Sequence, residues 1–215
     1  TTDVPSVEQV WDWLDYEGRE VVQGFTRVAD ERIARLKQEH GSLRAAIFGV
    51  EKEPTEDEVT KEKSSLEKAV DSPPQLTEDE EQYTESRRRA RDSAFARLVK
   101  EAYESQCAFC GSNRETPKGN PEVEAAHIYP KEEDGSDDVR NGISLCKLHH
   151  WAFDTGWLSI TNKYEILVKE KPERNGYYEF KQLEENKMRL PSEDALKPHP
   201  MFLAEHRQLN GFAEN

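Results

Sequence analysis

The sequence predicts an α+β protein: a helical N-terminal region over 1–50, an acidic linker over 51–82, and a zinc-stabilised mixed domain with a β-hairpin and a C-terminal extension over 83–215. Three observations carry this. Apolar residues recur at three- and four-residue steps near the start of the chain. All three cysteines and three of the six histidines fall between Cys107 and His150. Short β-prone runs lie before and after a helical run that begins at the last cysteine.

Composition bounds the class. With 215 residues, 34% hydrophobic and 34% charged, the chain can bury one core and a helical appendage. No apolar run reaches membrane-spanning length, and no basic segment followed by a hydrophobic stretch opens the chain. The expectation is therefore a cytoplasmic protein with no membrane partner. An odd cysteine count with metal-ligand spacing argues against a secreted disulfide framework.

From Ser6 to His40, Val7, Val10, Trp11 and Leu14 make one helical stripe, and Val22, Phe25, Ala29, Ile33 and Leu36 make another. Gly41 reads as a helix cap, with a second helix running through Ile47 and Phe48. Such stripes fit a helical hairpin over the core or a homodimer arm. The next stretch, to Glu81, is rich in acid, Lys, Ser and Pro, and so reads as extended or partly helical. Within it Thr60 to Val70 is expected as an exposed helix, with Leu66, Ala69 and Val70 on a thin apolar side.

At Tyr83 the sign of the charge reverses. Arg87, Arg88, Arg89, Arg91 and Arg97 share a helix with Ala94, Phe95, Leu98, Val99 and Ala102, so the apolar side should pack inward. Arg87, Arg88 and Arg91 are the candidates for phosphate contact, because a guanidinium fork matches phosphate oxygens. Pairing with the nearby glutamates is the alternative. The net charge of −14 is awkward for a nucleic-acid partner, whose affinity comes largely from Lys and Arg. Segregated acid, or a salty cytoplasm with a Debye length of about 3 Å at molar salt, would accommodate it.

Cys107-x-x-Cys110 and Cys146-x-x-His149 are pairs in which both side chains of a tight turn can point at one ion. Together they make a Cys3His set suited to structural Zn2+. What remains is His127 near the end of the β-prone VEAAHI, Asn141 after the turn-rich GSDDVR, and His150 with Asp154. The last two are four apart, one turn along a helix face. Asn141-Gly142 is itself a turn signal. Trp157–Ile160 and Tyr164–Val168 read as a hairpin, Gly176–Phe180 as an edge strand, and Phe202–Leu209 as a docking helix. His199 and His206 read as surface residues.

The order EAAHI, NG, LCxxHHxxFD and then an apolar strand resembles the HNH endonucleases, whose core is a β-hairpin and helix gripping one catalytic metal. It is similar in particular to the group described as predicted HNH restriction endonucleases, in which an Arg-rich helix leads into the cysteine pair. The likeness runs from about Tyr83 to Val168. It implies a ββα-metal fold, DNA as partner, phosphodiester hydrolysis and a role in restriction or defence. It also implies roles. His127 becomes the general base, and His150 and Asp154 ligands of a catalytic divalent ion, Mg2+ or Mn2+. Asn141 becomes either a ligand or the holder of the His127 loop. The position before the base often carries a metal ligand; here it is Ala126, and Glu124, two residues back on the same strand face, is the candidate replacement. The competing expectations are a zinc-bound module that binds DNA or protein without cutting, and a nuclease silenced by the acidic region.

Overall fold

The computed structural model describes residues 54–79 and 83–213. The stripes expected between Ser6 and Phe48, and the homodimer expected through them, lie outside the described residues.

The acidic stretch contains a helix, α1, Glu56–Ala69. It starts four residues earlier than expected because Thr55 and Glu58 form a capping box: each side chain accepts the other's backbone N–H. Glu56, Asp57 and Glu58 fill the first turn, where the helix dipole favours anions. Val59, Glu62 and Leu66 are buried, so this stretch is more than a solvated linker. They face the second helix, α2, Glu85–Ala102, which Thr84 caps by accepting the Arg87 N–H.

The arginines of α2 do not all turn outward, as expected; much of that face meets α1. Arg87 pairs with Glu62 at 2.9 Å and Arg97 pairs with Glu56. Arg91 is only 6% exposed and lies between Glu62 and Glu78. Acidic α1 and basic α2 are thus matched surfaces, and the charge reversal along the sequence is a packing code.

The opposite face of α2, with Ala94, Phe95 and Val99, lies on a two-stranded antiparallel ladder. Strand β1, Glu124–His127, pairs with β2, Gly142–Leu145, so that His127 is opposite Gly142. Gly142 is extended, with φ −121°, rather than in a turn. Its lack of a side chain serves packing: a Cβ there would meet Val99 Cγ2 at 2.3 Å and Phe95 Cζ at 2.8 Å. Helix α3, Lys147–Asp154, follows β2 with Cys146 as its N-cap and packs on both strands.

Beyond α3, β3 (Leu158–Ile160) pairs antiparallel with β4 (Ile166–Val168). The Thr161 hydroxyl accepts the backbone N–H groups of Lys163 and Glu165 and so closes the turn between them. The expected edge strand at Gly176–Phe180 is instead a short helix, α4, Tyr177–Lys181. Its two buried rings, Tyr177 and Phe180, are three apart, which is a helical spacing, and Gly176 enters it at φ +93°. Helix α5, Pro200–Leu209, begins with proline in its first turn and buries Phe202 and Leu203 against β3. Phe95, Phe153 and Phe202 are among the largest fully buried side chains, each contributing about 1.5–3 kcal/mol.

His206 was expected at the surface but is 4% exposed. Its ring stacks on Phe153 at 3.8 Å, and its Nδ1 shares a 2.8 Å hydrogen bond with the Ser159 hydroxyl. Burial pushes this imidazole down to about 4, so it is a neutral core ring at neutral pH. Among the described residues no helix is long and apolar enough to cross a membrane.

Candidate active site and metal centre

Local sequence builds two adjacent centres. The first begins where α2 ends. The Cys107–Cys110 turn closes with the Gly111 N–H donating to the Cys107 carbonyl at 2.8 Å, and Gly111 takes φ +71°. Its Ala108 N–H donates to Ser144 O at 2.7 Å, tying the turn to β2. Cys146 and His149 come from the first turn of α3. One ligand atom from each of Cys107, Cys110, Cys146 and His149 lies within 4.8 Å of all the others.

Two of these separations test the donor set. His149 Nδ1 is 3.4 Å from Cys107 Sγ and 3.2 Å from Cys146 Sγ. Tetrahedral zinc, with bonds of about 2.3 Å to sulfur and about 2.0 Å to nitrogen, requires an edge of about 3.6 Å. The cluster therefore fits zinc with adjustments of a few tenths of an ångström. Burial pushes the Cys107 and Cys146 thiols up and the His149 imidazole down; a bound cation reverses the preference of the thiols. The cluster joins the end of α2 to the start of α3, and so fixes the residue that follows His149, which is His150.

The second centre lines an open cavity of about 540 Å³ whose wall includes His127, Lys131, Glu132, His150 and Asp154. His150 holds carboxylates at both ends of its ring. Nδ1 is 2.9 Å from Glu124 Oε2, and Nε2 is 3.3 Å from Asp154 Oδ2. Asp154 lies more than half exposed, yet its carboxyl is raised. Desolvation against the cavity wall leads, and Glu132 and Glu124 add repulsion against the pull of His150. Acid gathered around one imidazole in this way attracts a hard cation.

His127 lines the same cavity. Its ring stacks on Phe95 with centroids 4.0 Å apart and planes 12° from parallel. Its Nε2 lies 3.1 Å from Asp137 Oδ1. Asp137 is 3% exposed. Burial alone would raise its carboxyl, but His127 and Lys131 outweigh that and hold it below the usual range.

Asn141 is fully buried, and its amide is committed to backbone. Its Oδ1 accepts from Tyr129 N–H at 2.8 Å, and its Nδ2 donates to the Tyr129 carbonyl at 3.1 Å and to the Ser136 carbonyl at 2.9 Å. It therefore cinches the loop that leaves β1 after His127, and of the two roles left open for it this is the one its contacts fit.

Residues 107–161 match the family model of the HNH endonucleases. This segment is an HNH endonuclease domain. Among solved structures, the modification-dependent TagI restriction endonuclease is similar at 24% identity and a TM-score of 0.41, over 54% of this chain and 36% of that one. The chain thus spans about a third of that protein's length, and at that TM-score no functional detail passes between them. No curated protein matches the chain.

Within and beside the HNH domain, the structure brings His127, His150 and Asp154 to one cavity and Glu124 to its edge through His150. Cys107, Cys110, Cys146 and His149 form the neighbouring cluster. The arginines expected as phosphate contacts outside the active site are engaged with acids, the alternative weighed for them. Arg91 is enclosed, with Asp137 at 3.6 Å besides Glu62 and Glu78, while Arg87 and Arg88 lie against Glu62 and Glu85. The sequence reading missed Asp137, Glu78 and Lys131. Asp137 sits in a run that reads as turn, beside an equally acidic Asp138 that caps the following turn and pairs with Arg140. Nothing in the residue types separates the two. Glu78 precedes the HNH domain by nearly thirty positions, and only the folded chain brings it near.

Proposed function

We propose that the protein is a metal-dependent endonuclease that hydrolyses DNA phosphodiesters with His127 as general base, in restriction or defence against foreign DNA. The observation that carries this is that His127, His150 and Asp154 line one open cavity, all within the segment matched by the HNH endonuclease family. Phosphodiester hydrolysis needs an activated nucleophile and charge neutralisation at the phosphate. The residues of the cavity divide those tasks.

His127 accepts the proton of the attacking water, a task for which an imidazole ring nitrogen with a free lone pair is suited. Its Nε2 is engaged with Asp137, so Nδ1 is the atom that takes it. His150 Nε2 and Asp154 Oδ2 would hold Mg2+ or Mn2+, the carboxylate being the ligand type that both ions favour. That ion, when bound, would neutralise charge on the phosphate and on the departing 3′ oxygen. Glu124 meets the opposite ring nitrogen, and its contribution is to orient His150, as carboxylates commonly do for ligating histidines. Ala126 is fully buried and contributes packing. Zn2+ held by Cys107, Cys110, Cys146 and His149 would have a structural role, since four protein ligands would leave it no open position. Lys131 is on the cavity wall but is paired with Asp137. Like Arg87 and Arg88, it can serve the phosphate backbone only by loosening its carboxylate contact.

The test is incubation of supercoiled plasmid with Mg2+, Mn2+ or EDTA. We expect nicking or linearisation with metal, none with EDTA, and a loss of about 10²- to 10⁴-fold for His127→Ala. DNA retention without cleavage under any metal would replace this reading with that of a zinc-bound binding module.

A further inference from the structure

We propose that Asp137 is the positioning residue for His127, fixing it as the tautomer protonated on Nε2, and that Glu78 and Arg91 hold Asp137 in place. This rests on the nuclease reading above. It makes a segment upstream of the matched domain part of the active unit.

The chemistry begins with the pair itself. An ionised carboxylate only accepts hydrogen bonds. Asp137 Oδ1, 3.1 Å from Nε2, therefore requires the proton on that nitrogen. The lone pair is left on Nδ1, where a general base needs it. Phe95, stacked at 4.0 Å, limits the tilt of the ring. The stack and the carboxylate together leave the imidazole one orientation.

Asp137 is itself fixed from several directions. Its backbone N–H donates to Glu78 Oε2 at 3.3 Å. Lys131 Nζ donates to Oδ1 at 3.1 Å, and Arg91 Nε lies 3.6 Å from Oδ2. Arg91 in turn donates to both oxygens of Glu78, at 2.6 and 2.9 Å, and to Glu62 of α1 at 3.4 Å. Glu78 is carried there by backbone pairing. Its N–H donates to the Asp134 carbonyl at 2.9 Å, Thr77 bridges to Gly135, and the Ser136 hydroxyl donates to the Gln75 carbonyl at 2.7 Å. Residues 75–78 thus lie as a strap along 134–137, and the strap sets the carboxylate that sets the base.

The experiment combines ring nitrogen NMR with single-turnover cleavage. Resonances of His127 are assigned by their loss in His127→Gln. In the wild-type protein we expect the Nε2–H tautomer. In Asp137→Asn, whose amide can donate as well as accept, we expect that preference to be lost, with the cleavage rate down about 10²- to 10⁴-fold and KM within about twofold. Glu78→Gln should move both readouts in the same direction by less. Asp138→Asn, in the same loop but turned to Arg140, should leave the tautomer and the rate unchanged; zinc content and melting temperature report whether each variant is folded.

A wild-type ring protonated on Nδ1, or a tautomer unaltered in a folded Asp137→Asn, overturns the proposal. The wild-type spectrum decides the first point even where a variant fails to fold. A protein that cuts no DNA but shows the Nε2–H ring, lost in Asp137→Asn, removes the nuclease reading and leaves the pairing intact.

Discussion

Replacing Arg91 with methionine separates a packing role from a phosphate-binding one. The wild-type guanidinium is 8% exposed and lies within 3.6 Å of Glu62, Glu78 and Asp137, whose side chains are 6%, 17% and 4% exposed. Methionine fills much of the volume but leaves three carboxylates sharing one low-dielectric pocket. At an effective dielectric constant of about 20, two unit charges about 4 Å apart interact by about 4 kcal/mol. Breaking a buried pair by removing one partner costs about 3–5 kcal/mol. Partial relief comes from Lys131 and Arg87, which already touch Asp137 and Glu62, and from proton uptake by a carboxylate. A net loss of about 3 kcal/mol is the expectation, a large part of the 5–15 kcal/mol typical of a domain. Urea denaturation followed by tryptophan fluorescence measures it, and Arg91→Lys, which keeps charge but loses the fork, should lose less. Unfolding of Arg91→Met within about 0.5 kcal/mol of wild type, with a drop in DNA affinity and a salt dependence flattened by about one phosphate contact, would refute the packing role.

Two further outcomes follow from other parts of the structure. Cys146→Ser, or chelation of the wild-type protein, should release close to one zinc per chain and lower the melting temperature sharply, because the cluster ties α2 to the start of α3; elemental analysis and thermal unfolding check both. His206 stays neutral down to about pH 4 in the native state, whereas the unfolded chain takes a proton near 6.5. Its contribution is full above pH 6.5 and falls as pH drops toward 4, by about 3 kcal/mol at most. His206→Gln should flatten that part of the stability-against-pH curve relative to wild type, with any acid loss of zinc common to both proteins.

Much of the site was legible because its chemistry is local. The two metal-ligand pairs, the strand ending in His127 and the one-turn spacing of His150 and Asp154 all depend on neighbours fewer than five residues apart. What escaped was what depends on distant partners. Arginines at 87 and 91 read as a solvent face because the acids that meet them are distant in sequence: Glu62, on a helix whose composition suggested solvation, and, for Arg91, also Asp137 from a later loop. Two buried apolar positions, Val59 and Leu66, suffice to dock α1 when ion pairs flank them. His206 looked like a surface residue for a similar reason. The aromatic partner that buries it, Phe153, sits on another helix. Gly176–Phe180 misled through its β-prone aromatics, although the three-residue step from Tyr177 to Phe180 fits one helical turn.

In the proposed mechanism His127 and the His150–Asp154 pair serve opposite sides of one divalent cation. Anomalous diffraction from crystals soaked in Mn2+ tests it most directly. A manganese peak is expected within bonding distance of His150 Nε2 and an Asp154 oxygen, with His127 Nδ1 facing it across the cavity and zinc confined to the cysteine cluster. Manganese bound elsewhere, or a His127 ring turned away from a metal held by His150, would contradict it.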